Sequence, residues 1–302
     1  MRAPRRPVAA LLLVLLAPPL MAQDFSKAVV TTQPLSGNVS MLLGAGGNVG
    51  VLHGPDGLLI VDDQYAPMVP KLRAALDSLA PGSRVRYVLN THWHGDHSGG
   101  NAAFATETGA VIVAHENVRR RMSTPRVVGP TRREVPASPA AAWPVITFRD
   151  TLSFYFNGDT VDVLHVMAAH TDGDAIIRFR RANVVHAGDT FFNGNYPFID
   201  INSGGSIDGM IANAAGLLGM VNGQTKVIPG HGPIGDQIAL KQYHLMLVGV
   251  RRSIADAMAN GATLSDVLRR EPTKAWDGVW GKGFFNPETF TTMVYDDLKR
   301  SR

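Results

Sequence analysis

The chain has 302 residues, 45% of them hydrophobic and 18% charged, with ten histidines and no cysteine. That apolar fraction excludes whole-chain disorder. The missing cysteines exclude disulfides, thiolate nucleophiles, cysteine-held zinc and iron–sulfur clusters, so any metal must be held by histidine nitrogen and carboxylate oxygen. The net charge is +4, but Arg2, Arg5 and Arg6 precede every acid. Past Ala22 the count is 26 basic (29 less those three) against 25 acidic, which makes no electrostatic case for nucleic acid.

Residues 1–7 carry the three arginines, 8–20 are apolar, and polar sequence begins at Gln23 after the small Ala22. This is the layout of a secretory signal peptide over 1–22, so the protein is expected to be secreted or periplasmic, with 23–302 as a single domain. The apolar run is short for a bilayer of ~30 Å and is interrupted by Pro18 and Pro19. Arg5-Arg6 lacks the usual twin-arginine continuation, and a lipoprotein would need a cysteine. No later stretch is apolar for ~18 residues, so no membrane association is expected after cleavage.

Short β-rich runs follow at 28–35, 39–43, 49–53 and 58–61, separated by turns such as Gly54-Pro55-Asp56-Gly57; such close spacing predicts antiparallel hairpins. Val69, Leu72, Leu76 and Leu79 share one face and predict a helix over 69–79. A strand at 85–89, a short helix at 99–105, a strand at 111–113 and a helix at 116–122 come next. Residues 123–145 hold five prolines and no period, and are expected to form an irregular loop. Strands resume at 146–148, 152–156, 160–165, 175–179 and 184–186, then a helix at 206–220 and a strand at 227–228. Helices are expected at 237–259, 264–269 and 287–300. Strands then helices, twice, read as mixed α and β; two such halves could pack as a four-layer αββα sandwich.

The chemistry lies in the histidines. His92-Trp93-His94-Gly95-Asp96-His97 follows a strand directly, and a shuffled chain of this composition would carry His-x-His-x-Asp-His on the order of one time in a thousand. In an extended segment His92 and His94 project to the same side, while the bend at Gly95 turns Asp96 and His97 away. One pair can serve one metal and the second pair a neighbouring metal. His170, Asp189 and His231 each sit where a predicted strand meets a glycine-containing turn. Four such strand ends could surround one cavity. His53, His115, His165, His186 and His244 read as structural or surface, with His165 and His186 near enough in sequence to support ligands.

These segments resemble the metallo-β-lactamase superfamily. Residues 91–97 resemble its HxHxDH motif, Val61-Asp62-Asp63 its preceding acidic motif, and 169–174, Gly188-Asp189 and 229–232 its later motifs, in the same order. The resemblance runs from about Val39 to Pro233 and implies the αββα fold. It also implies that His92, His94 and His170 hold one zinc, that Asp96, His97 and His231 hold a second, and that Asp189 bridges them. Manganese, iron or cobalt would accept the same donors. Asp62 would support the metal loop. Asp96 would also act catalytically, orienting a metal-bridging hydroxide that attacks a carbonyl and passing its proton to the leaving group.

The expected partner is a small molecule with a hydrolysable carbonyl. Export favours a β-lactam amide as the leading substrate. Asp189, where most zinc β-lactamases lack a bridging carboxylate, favours a thioester as in glyoxalase II; a lactone or ester fits as well. An iron-dependent sulfur dioxygenase is the more distant alternative, and His94 stands where flavodiiron proteins usually place Glu. Asn193, Asn195 and Tyr196, in the amide- and aromatic-rich stretch after Asp189, are the candidate substrate-binding residues.

Overall fold

The computed structural model describes residues 24–128 and 133–300; the expected signal segment lies outside them. The chain opens with β1 (Thr31–Ser36), β2 (Val39–Leu43), β3 (Val49–Gly54) and β4 (Gly57–Val61), an antiparallel meander as the spacing predicts. Helix α1 (Val69–Leu79) then crosses over to β5 (Val85–Leu89), which pairs with β4 in parallel. Two helical turns, α2 (Gly95–Ser98) and α3 (Asn101–Ala103), lead through a wide turn to β6 (Val111–His115) and α4 (Glu116–Met122). After a small hairpin of β7 (Arg126–Val128) and β8 (Arg133–Val135), β9 (Ile146–Phe148) completes a seven-stranded sheet of order β1-β2-β3-β4-β5-β6-β9.

The second sheet has five strands: β10 (Thr151–Phe156), β11 (Asp159–His165), β12 (Ala175–Phe179), β13 (Val184–His186) and β14 (Lys226–Ile228). Helix α5 (Ile207–Met220) crosses between β13 and β14, which pair in parallel. Helices α6 (Gln237–Ala259), α7 (Leu264–Arg269), α8 (Asp277–Trp280) and α9 (Pro287–Arg300) follow.

Strand alternation sorts the apolar residues into three layers. Leu59 and Val61 of β4 face inward with Val161, Val163, Ile177 and Phe179 of the other sheet. Leu58 and Ile60 face outward onto Val69, Leu72 and Leu76 of α1. On the far side Ile176, Val185 and Val227 pack under α5, α6, α7 and α9. Three apolar layers between four structural layers make the αββα sandwich.

Two sequence expectations shift. The helix expected at 99–105 is displaced: a helical turn begins at Gly95, because the Ser98 amide and hydroxyl both bond to the His94 carbonyl, and a wider turn closes at Gly109 with positive φ. The loop expected over 123–145 carries the short antiparallel pair β7–β8, where Val127, Val128 and Val135 favour extended backbone. Among the described residues no helix is long and apolar enough to cross a membrane.

Candidate metal centre

The site forms where chain leaves the carboxyl ends of parallel strands. Asp62 and Asp63 follow β4, residues 90–97 follow β5, Asp189 follows β13 and His231 follows β14, while His170 lies between β11 and β12. In open α/β sheets this is the edge at which ligands bind.

All seven residues implied as ligands converge there. Three groups have donor atoms within 4.8 Å of one another: His92, His94 and His170; His92, His97 and Asp189; and Asp96, His97 and His231. Asp189 lies between them. Its Oδ2 is 3.9 Å from His92 Nε2 and 3.5 Å from His170 Nε2, and its Oδ1 is 3.0 Å from His97 Nε2 and 3.5 Å from His231 Nε2.

Four imidazoles have one nitrogen committed outward, which turns the other toward the centre. His92 Nδ1 donates to Thr91 Oγ1 at 3.0 Å, and His94 Nε2 to Asp200 Oδ2 at 2.9 Å. His97 Nδ1 donates to Asp62 Oδ2 at 2.7 Å, and His170 Nδ1 to the Phe198 carbonyl at 2.8 Å. This fixes tautomer and ring orientation as metal sites require. The inward nitrogens crowd one another: His170 Nε2 is 2.8 Å from His94 Nδ1, and His97 Nε2 is 3.3 Å from His231 Nε2. His92 Nε2 and Asp189 Oδ1 are buried with no partner in hydrogen-bond geometry. Buried donors aimed at one another and otherwise unsatisfied fit two neighbouring divalent cations, one by His92, His94 and His170 and one by Asp96, His97 and His231.

The electrostatics agree. Burial opposes charge on His97 and His231, yet Asp189, Asp96 and Asp62 outweigh it at His97, and Asp189 and Asp96 lift His231 to about 9. Burial also opposes ionisation of Asp96, but His97 and the hydrogen bond from His231 hold its carboxyl at about 2. His170, in the drier half, is pushed by burial down to about 4. The carboxylates therefore favour positive charge around His97 and His231, while burial keeps His92 and His170 neutral, the form in which imidazole ligates a metal.

The supports are local. Asp62, at φ 64°, accepts from the Thr91 amide and hydroxyl, each at 2.7 Å, as well as from His97. Its carboxylate thus holds His97 directly and His92 through Thr91. Gly188 has φ 53° and any Cβ there would strike Thr91, so the turn that presents Asp189 admits only glycine. His186 accepts from the Gly188 amide and donates to the Asn48 carbonyl, stiffening that turn, and His165 Nδ1 donates to the Asp174 carbonyl in the His170 loop.

The substrate candidates fare differently. Tyr196 is a correction: it is fully buried, its hydroxyl donates to Asp277 Oδ1 at 2.8 Å, and its ring stacks on Phe290 at 4.6 Å, so it packs under α9. Asn193 spends its side-chain amide on the Pro233 carbonyl at 2.9 Å and ties the loop after Asp189 to the loop after His231. Asn195 lies against Gly283 in the segment before α9. The stretch 191–200, expected near the metals, also holds Phe198 and Asp200, to which sequence reading gives no role; their contacts to His170 and His94 come only from the fold of that turn.

Two stacked sheets flanked by helices, with clustered histidine and aspartate donors at their shared edge, define an αββα protein with a candidate metal centre. A model of the metallo-β-lactamase superfamily matches residues 42–215, more than half the chain, and the chain belongs to that superfamily. Among similar curated proteins, a hydroxyacylglutathione hydrolase of Erythrobacter litoralis is 30% identical over 114 residues, 37% of each chain. A hydroxyacylglutathione hydrolase of a Polaromonas species is 29% identical over 159 residues, 52% of each chain. The 2,4-dinitroanisole O-demethylase subunit alpha of a Nocardioides species is 25% identical over 203 residues, 67% of this chain and 57% of that one. The chain thus spans about half the length of the curated relatives it matches. Among solved structures, a stereoselective inverting sec-alkylsulfatase from Pseudomonas sp. has TM-score 0.66 at 14% identity, over 89% of this chain and 50% of that one. A metallo-β-lactamase from Pontibacter korlensis has TM-score 0.58 at 17% identity, over 72% of this chain and 98% of that one. These two share the fold.

Proposed function

We propose that the chain is a dinuclear metal hydrolase that cleaves an acyl ester or thioester outside the cytoplasm. The observation that carries this reading is Asp189, with one carboxylate oxygen toward each histidine group. His92, His94 and His170 would hold one divalent cation, Asp96, His97 and His231 the other, and Asp189 would bridge them; zinc suits the nitrogen and carboxylate donors. When bound, such a pair supplies hydroxide at neutral pH by lowering the pKa of bound water to ~7.

The residues around it have separate tasks. Asp96, 3.2 Å from His231 Nε2 and partly open to solvent, stays ionised, orients the attacking water and relays its proton to the leaving atom. Asp62 and Asp200 hold His97 and His94 in orientation.

The thioester or ester reading gains support from the similarity to hydroxyacylglutathione hydrolases, an acylglutathione being a thioester. The β-lactam amide reading rests on the signal peptide expected over 1–22. Metal analysis of purified protein together with a panel of a hydroxyacylglutathione, p-nitrophenyl esters, a lactone and nitrocefin tests all three. Close to two zinc ions per chain, with thioester or ester turnover lost on chelation and restored by zinc, is the expected result. Turnover of nitrocefin alone would move the substrate to β-lactams. A single iron with oxygen consumption would overturn the hydrolase mechanism.

A further inference from the structure

An unbroken aromatic run leads from the metal centre to solvent. The Phe198 ring lies 5.9 Å from the His94 ring and 5.8 Å from the His170 ring. Phe285 stacks on Phe198 at 5.3 Å and 14°. Phe284 meets Phe285 edge-on at 4.9 Å, and 92% of Phe284 is exposed. Phe284 and Phe285 belong to the segment between α8 and α9, outside the residues that match the superfamily.

This segment is anchored. The Tyr196 amide donates to the Trp280 carbonyl at 3.1 Å, and the Tyr196 hydroxyl holds Asp277. Any side chain at 283 would overlap Asn195, so Gly283 lets the two loops touch. Tyr196 and Asn195 thus hold the segment that stacks Phe285 on Phe198.

We propose that Phe198, Phe285 and Phe284 form an apolar wall for the acyl group of the substrate, so that the enzyme prefers alkyl or aryl acyl groups over small or charged ones. An exposed phenylalanine continuous with a metal site gains by being covered. Asp96, which passes the proton to the leaving atom, sits with His97 and His231, so the acyl group is the one directed toward His94, His170 and the phenylalanines. The proposal rests on the ester or thioester reading above. One-sided coverage of a chain by such a wall is worth about twofold to fourfold in affinity per methylene.

Two readouts test it on metal-loaded protein. Calorimetry measures binding of straight-chain carboxylates from acetate to octanoate, and kcat/KM is measured for p-nitrophenyl esters of the same acids. In the wild type both rise with chain length. Phe284→Ala, at an exposed position where folding is not at stake, and Phe285→Ala both flatten the rise, while Phe284→Leu retains most of it. A flat series in the wild type or an unchanged slope in both alanine variants would overturn the wall. Ester turnover without a slope leaves the hydrolase reading standing and removes the wall. A carboxylate slope lost in Phe284→Ala, with no ester turned over, keeps the wall and removes the ester reading.

Discussion

Asp62 and Asp200 are both acids that steady a histidine, and their surroundings separate their effects. Asp62 is fully buried and accepts three hydrogen bonds, from Thr91 twice and from His97. Asp62→Ala would leave those donors buried without partners, at a cost of ~3–5 kcal/mol measurable by urea unfolding. Asp200 is less enclosed and its link to His94 crosses 106 positions of sequence. Asp200→Asn keeps the shape and removes the charge; metal affinity should fall ~10–100-fold in a chelator competition, with the unfolding midpoint of the metal-free protein nearly unchanged. An equal loss of stability and affinity would make Asp200 a packing residue. The difference in legibility has the same origin. Asp62 ends an apolar strand and is readable, whereas Asp200 gains meaning only when its turn folds over His94.

At the scale of elements, helices were readable wherever one face is apolar. The bounds of α1, α4, α6, α7 and α9 coincide with the spans expected from spacing. The metal loops were not readable as shapes, because their conformations come from distant partners. Helix α5 illustrates the coupling. Ser206 caps it by accepting from the Gly209 amide at 3.0 Å, and its hydroxyl donates to the Ala168 carbonyl at 2.7 Å. Ala168 has φ 50° and leads into His170. Ser206→Ala should therefore cost ~1–2 kcal/mol in thermal unfolding, the upper part of the range for a cap, since a second bond is lost with it. A cost near zero would show that the cap is not coupled to the loop. On the opposite side Arg121 makes a bidentate pair with Asp172, both bonds at 2.7 Å, so the loop bearing His170 is held from α4 as well.

At the scale of the molecule, the site hangs on the edge of two sheets whose shared core it does not enter. Phe179 lies fully buried between the sheets. Phe179→Ala should cost ~3–5 kcal/mol of stability, read by denaturant unfolding, while turnover per folded molecule stays near wild type. A variant that is stable but inactive would contradict that separation. Metal removal acts the other way: chelation should abolish turnover and lower the unfolding midpoint, since a cation present at ~1,000 times its Kd stabilises the folded state by ~4 kcal/mol. An unchanged midpoint after complete metal loss would mean that the cluster is held by the scaffold alone.

The sequence by itself determined the chemistry of the donors, the order of the strand ends that bear them, and the αββα class through its resemblance. Those are local properties: residue type, spacing within a loop, and apolar period along a strand or helix. Only the tertiary structure decided which nitrogen of each imidazole faces the centre, because Thr91, Asp62, Asp200 and the Phe198 carbonyl claim the other one. It also moved Tyr196 from the substrate to the packing beneath α9 and stacked Phe285 on Phe198, whose ring lies against His94 and His170. Hydrogen-bond direction and long-range stacking depend on where distant segments meet, and no pattern within a single segment records that.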